Sequence, residues 1–202
     1  AFHAAGFGSS GRFYEKAGAR LGMAPAAYRK GGEGERLRFA AAPCSLGYVL
    51  AAEAGKGICH VALGDSVPGL EKGLRAAFPK AASIGEDKAL HKTVAAIVKR
   101  IEKPGAPAPV LPLDIRGTAF QRRVWQALTV IPAGRTESYA AVAARIGAPG
   151  AARAVARACA TNALAVVVPC HRVVRGSGEM AGYRWGVERK RKLLEREKGA
   201  RG

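Results

Sequence analysis

A chain of 202 residues, 49% of them hydrophobic, is long enough for one or two small domains with packed cores, which excludes wholesale disorder. Its formal net charge of +18 and pI near 10.5 point to a polyanionic partner, and nucleic acid fits better than an anionic membrane surface because no strongly amphipathic basic helix is evident. No apolar run of about 18 residues or more occurs, and the opening residues lack a basic segment followed by an apolar one, so neither a membrane span nor a secretory leader is expected.

The charge is uneven. Residues 116–202 hold 17 Lys/Arg against 5 Asp/Glu, whereas residues 31–115 hold 11 against 9. Four cysteines, Cys44, Cys59, Cys159 and Cys170, form no CxxC pair, so reduced thiols are expected and a structural zinc site is not. The chain starts mid-pattern without a Met and reads as a fragment of something longer.

Residues 1–30 read as helical. Ser9 and Ser10 can cap a helix that stops at Gly22, and a second segment resumes around Pro25. Gly31–Gly34 reads as a linker. The period then changes: 37–40, 47–50 and 58–63 are short strand-like runs with a Gly55-Lys56-Gly57 turn, which predicts a β-meander. Residues 69–78 and 90–101 carry helical spacing. The Pro-rich stretch 104–112 reads as an extended connector and places a domain boundary near 115.

Thr118 can cap a helix with Phe120, Val124 and Leu128 on its inner face. Short helices over 138–146 and 151–160, joined by Ala148-Pro149-Gly150, read as a helix-turn-helix. Val166-Val167-Val168 reads as a buried strand ended by Pro169, and 188–198 as a charged final helix.

The chemistry centres on Cys170. A thiol beside an imidazole and among many arginines is expected to lean toward thiolate. The bland reading is a small buried hydrophobe. His171 need not touch Cys170 directly, because successive strand side chains point to opposite faces.

The run Pro169-Cys170-His171-Arg172-Val173-Val174 closely resembles the active-site signature of O6-alkylguanine-DNA alkyltransferases. Ser138-Tyr139, Ala152-Arg153-Ala154-Val155, Asn162 and Gly182-Tyr183-Arg184-Trp185-Gly186 fit the same family, the last in the manner of the bacterial adaptive-response regulators. Residues 5–10, 13–14 and 21–29 resemble the last helix-turn-helix of AraC-type activators, which precedes the alkyltransferase module in those regulators.

The resemblance implies an α+β protein in three parts: a partial AraC-type helix-turn-helix (1–32), a small ribonuclease-H-like sheet domain (36–115) and a helical, winged-helix-like DNA-binding and catalytic domain (116–200). It implies that Cys170 accepts the alkyl group, that His171 takes the thiol proton through a water, and that Glu197 orients the imidazole. Asn162 would hold the active-site turn, its bland reading being a helix C-cap. Tyr139 would hydrogen-bond the leaving guanine, its bland reading being a core ring.

On the DNA side, the family places the second helix of the pair in the minor groove. Arg153 would enter the base stack behind an extruded guanine, Ala151, Ala152, Ala154 and Ala158 would allow close approach, and Arg157, Arg145 and Arg135 would meet phosphates or be solvated. Val173, Tyr183, Arg184 and Trp185 would line the guanine pocket, tightly enough to favour methyl over bulky groups. The implied partner is double-stranded DNA carrying O6-alkylguanine, with O4-methylthymine as a further substrate. No cofactor, metal or membrane is implied, and a monomer in the bacterial cytosol is expected. The parent protein is expected to activate transcription in the adaptive response. The rival readings are a DNA-binding regulator without alkyl transfer and a turnover Cys-His hydrolase, which lacks a glycine-rich nucleophile elbow.

Overall fold

The computed structural model describes residues 31–55, 57–104, 111–114 and 117–199. The expected helix-turn-helix of residues 1–30 and the middle of the Pro-rich connector lie outside them.

Strands β1 (Arg36–Cys44), β2 (Gly47–Ala54) and β3 (Gly57–Gly64) form the expected antiparallel meander. A fourth strand, β4 (Ser83–Glu86), adds in parallel to β1 and gives the order β3-β2-β1-β4. The sequence pattern does not reveal it, because Ser83-Ile84-Gly85-Glu86 is short and mostly polar and only pairing with β1 makes it a strand. Seven consecutive residues of β3 are buried, so both faces of that strand are covered.

Helices α1 (Val67–Ala77) and α2 (His91–Glu102) lie near their expected places. The Ser66 hydroxyl accepts from the Gly69 N–H and starts α1, with Leu70 and Leu74 turned inward. Helix α2 follows a 3-10 turn capped by Asp87 and buries Val94, Ile97 and Ile101 at helical spacing. Helix α1 packs on β2 and β3, and α2 on β1 and β2.

Helix α3 (Ala119–Thr129) begins with a full capping box between Thr118 and Gln121. Val124, Trp125 and Leu128 are its buried face, and the Trp125 indole donates to the Ala158 carbonyl at 2.8 Å. Helices α4 (Tyr139–Arg145) and α5 (Ala152–Ala160) form the expected pair. Ser138 caps α4, and Gly147 (φ 68°) and Gly150 (φ 90°) take the left-handed turns that glycine tolerates. Two short strands, β5 (Glu137–Ser138) and β6 (Val173–Val174), pair in parallel and bring the start of α4 beside the segment that follows Cys170. Helix α6 (Val187–Gly199) closes the chain. It buries Lys190, Leu193, Leu194 and Glu197, a stripe at helical spacing whose two ends are charged.

The sheet half and the helical half meet along the free edge of β3. Val61 donates to the Ala163 carbonyl at 2.8 Å and accepts from Ala165 N–H at 3.0 Å. Farther along, Ile58 N–H donates to Pro112 O at 2.8 Å, and Gly57 makes that approach possible: at φ 148° a Cβ would run into the Pro112 carbonyl.

Candidate active site

Residues 166–168 are a turn, not the expected strand. The reason is Asn162. Its side-chain oxygen accepts from Leu164 N–H at 2.9 Å, and its amide nitrogen donates to Val168 O at 3.0 Å, so one side chain closes the loop on itself. Val166 sits at φ 65°, which a β-branched residue adopts only under tertiary constraint. β-branched composition alone does not reveal such a constraint.

Cys170 therefore opens a 3-10 turn (Cys170–Arg172) instead of ending a strand. Asn162 Nδ2 lies 3.2 Å from Cys170 Sγ and donates to it. The thiol is 4% exposed, and burial pushes its pKa up to about 11 despite the Asn162 hydrogen bond and the positive charge of Lys190 and Arg184. Cys170 thus rests as a thiol, which corrects the expected lean toward thiolate. Arginines elsewhere in the sequence do not offset the lost hydration.

His171 is fully buried, and its Nε2 lies 2.9 Å from Glu197 Oε1. Burial lowers the imidazole pKa, and the hydrogen bond with Glu197 works against it. Burial also disfavours the Glu197 carboxylate, but hydrogen bonds from His171 and Arg172 outweigh that and hold its pKa at about 2. An ionised carboxylate fixes the proton on Nε2, which leaves Nδ1 as the acceptor nitrogen of a neutral imidazole. Nδ1 is buried and has no hydrogen-bond partner among the described residues.

Arg172 completes the arrangement. Its guanidinium reaches Glu197 through Nε at 3.0 and 3.1 Å and Nη2 at 2.7 Å, and donates from Nη1 to Ile131 O at 2.5 Å. Gly134 N–H adds a bond to Glu197 Oε2 at 3.2 Å. Lys190, 1% exposed, donates from Nζ to Val173 O at 2.6 Å. Neither Arg172 nor Lys190 carries a role in the sequence analysis. Arg172 stands inside the Pro169–Val174 run, and Lys190 follows the spacing of the inward stripe of α6, so both signals are present in the chain.

The remaining residues fall in three groups. Tyr139, the first residue of α4, is half-buried, and burial followed by the nearby Cys159 and Cys170 raises its hydroxyl to about 12, so it stays a donor. Tyr183 stands edge-on to His171 and to Trp185, with ring centroids 6.4 and 5.1 Å apart, and Arg184 donates to Asn162 O at 3.2 Å. Val173 and Trp185 are buried. On α5, Arg153, Ala154 and Arg157 are placed with Arg153 exposed and Arg157 on the same outer side, Ala151 and Ala152 are half-exposed, and Ala158 faces the core and is unavailable to DNA. Arg145 pairs with Glu137 at 2.8 Å. Cys59 and Cys159 pack in the core, as expected. Among the described residues no cluster of His, Cys, Asp or Glu could hold a metal ion, and no helix is long and apolar enough to cross a membrane.

Residues 119–199 match the model of the 6-O-methylguanine DNA methyltransferase, DNA binding domain. The crystal structure of Mycobacterium tuberculosis OGT in complex with DNA superposes with a TM-score of 0.65 and is 34% identical, covering 82% of this chain and 94% of that one. The chain belongs to the O6-methylguanine-DNA methyltransferase family.

Among curated members of this methyltransferase family, the Bifunctional transcriptional activator/DNA repair enzyme Ada of Escherichia coli K12 is 49% identical over 193 residues, 96% of this chain and 54% of that protein. The Methylated-DNA--protein-cysteine methyltransferase of Mycobacterium tuberculosis H37Rv is 59% identical over 86 residues, 43% of this chain and 52% of that protein. The chain thus spans about half the length of the curated methyltransferases it matches.

Proposed function

We propose that this chain repairs alkylated DNA by moving the methyl group of O6-methylguanine onto Cys170, once per molecule. The observation that carries this reading is a buried thiol held by Asn162, one residue from an imidazole whose far nitrogen is locked onto Glu197. The names of the relatives, a DNA repair enzyme and a methylated-DNA methyltransferase, agree with it.

In this mechanism His171 Nδ1 takes the Cys170 proton through one water. The imidazolium so formed is stabilised by Glu197, whose charge is kept by Arg172 and Gly134. Sγ attacks the methyl carbon, the S–C bond forms as the C–O6 bond breaks, and the electron pair leaves with guanine. Tyr139 donates a hydrogen bond to the departing base and lowers the barrier. Because the resting group is a thiol of pKa about 11, proton removal belongs to the reaction itself. The product is a thioether, a poor leaving group, so turnover stops there without any cofactor.

The base reaches the thiol only after extrusion from the duplex, at a few kcal/mol. Exposed Arg153 on α5 fills the gap in the stack, and Ala151, Ala152 and Ala154 let the helix enter the minor groove while Arg157 contacts phosphate. Tyr183, Arg184, Trp185 and Val173 bound a pocket for the guanine, and the bulk of Trp185 favours methyl over benzyl. O4-methylthymine is a second substrate. The sheet half (36–115) serves as a ribonuclease-H-like domain and the helical half (116–200) as a winged-helix-like one. The protein acts as a monomer in the bacterial cytosol, where its thiols stay reduced, and its parent also activates transcription.

Intact-protein mass spectrometry after mixing with an O6-methylguanine oligonucleotide tests the reading. A single gain of about 14 Da, absent in Cys170→Ala, is expected. DNA binding without any mass change would instead mark a regulator that lacks alkyl transfer.

A further inference from the structure

Glu197 lies in the last turn of α6, two residues before the helix ends at Gly199. Terminal turns lack part of their intrahelical hydrogen bonding and fray first. A carboxylate that must stay within reach of His171 is therefore carried on the least secure part of its helix.

The neighbouring residue ties that turn to the sheet half. Arg196 Nη1 pairs with Glu102 Oε2 at 3.2 Å and also donates to the Ser45 hydroxyl. Glu102, the last residue of α2, accepts on Oε1 from the Ser45 N–H at 2.9 Å and from its hydroxyl at 2.7 Å. Three side chains from the β1–β2 turn, the end of α2 and the end of α6 thus close a ring. Arg196 and Glu197 are adjacent and face different sides of α6, Arg196 toward the sheet half and Glu197 toward His171.

Two turns earlier, Arg189 repeats the contact. It donates through Nε to Leu46 O at 2.9 Å, through Nη1 to Trp185 O at 2.9 Å, and pairs with Asp65. Helix α6 is thereby held at both ends against the same hairpin turn. Arg100, also on α2, lies near enough to Arg172 and Glu197 to feel both charges.

We infer that the Ser45–Glu102–Arg196 ring is a positioning device for the acceptor site: it stops the end of α6 from fraying and so keeps Glu197 on His171. Its effect on rate rests on the methyl-transfer reading; its effect on the imidazole does not. Arg196 and Glu102 are 33% and 37% exposed, so the pair adds little to global stability, and a merely structural role would leave the histidine unchanged.

The test uses the full chain as wild type, Glu102→Gln, Ser45→Ala and Ser45→Thr, with Arg38→Gln as a control at a surface pair far from α6 in sequence. Two quantities are read: the single-turnover methyl transfer rate on a duplex carrying O6-methylguanine, and solvent exchange of the His171 Nε2–H proton by NMR. Glu102→Gln and Ser45→Ala are expected to slow transfer about tenfold. The same two variants should speed N–H exchange about tenfold, with duplex affinity and melting temperature held. Ser45→Thr and Arg38→Gln stay at wild-type values. Wild-type exchange in both Glu102→Gln and Ser45→Ala overturns the inference. If the wild-type chain transfers no methyl, the functional reading fails by itself and the exchange comparison still decides this one.

Discussion

Arg38 and Arg172 are both paired arginines, one in each half of the molecule. Arg38 is 55% exposed and spans Glu53 and Asp87 at the surface of the sheet, while Arg172 is 5% exposed and grips a carboxylate that is equally buried. The sheet half follows that pattern in another ion pair, Arg75 with Glu71, also at the surface. The helical half buries His171, Arg172, Lys190 and Glu197 around one thiol. The contrast separates charges that decorate a fold from charges that depend on one another: water replaces a partner lost at the surface, and nothing replaces one lost inside.

The largest effect should come from Glu197→Ala. It strands Arg172 and His171 without their carboxylate, and a loss of about 3–5 kcal/mol is expected in urea unfolding, together with loss of methyl transfer. A variant within about 1 kcal/mol of wild type would erase the distinction between the halves.

His60 is an exception that sharpens the comparison, one of the buried titratable groups in the sheet half, with Asp114. It stands edge-on to Phe78, and burial, then the charge of Arg184, lowers its pKa to about 4. A lowered folded-state pKa means stability that is complete above pH 6.5 and lost as pH falls toward 4. The loss should approach about 3 kcal/mol, because each tenfold difference in proton affinity between the folded and unfolded chain is worth about 1.4 kcal/mol. His171 is lowered in the same direction and adds to the acid slope. Unfolding free energies of His60→Gln between pH 7 and 4 should show a shallower slope than wild type, and an unchanged slope would mean that His60 does not govern acid stability.

Arg153→Ala should leave stability within about 0.5 kcal/mol, because the side chain is exposed. Methyl transfer on duplex should slow about 10- to 100-fold, while transfer on a single strand, which needs no extrusion, should change little. Equal losses on both substrates would argue against a role in the stack. Arg38→Gln should be the mildest change, below about 1 kcal/mol in thermal unfolding.

Much of the molecule is legible in the chain because the signals are local. Strand-like runs mark β1 to β3, Thr118 opens α3, and Gly147 closes α4, each through contacts within a few residues. The site is legible as a set of names, and in the fold Asn162 lies against Cys170 and Glu197 against His171.

What the sequence alone determined, then, is where many elements start, where they stop and which residues are candidates for the chemistry. Tertiary structure decided the rest. It made a turn of Val166–Val168 by closing Asn162 across it, and it made a strand of residues 83–86 by setting them beside β1. It also made a thiol of Cys170, because the charge state of a group depends on how much water is removed and which partners replace it. Those partners, Asn162 eight residues back and Lys190 twenty residues on, face the thiol only once the chain is folded.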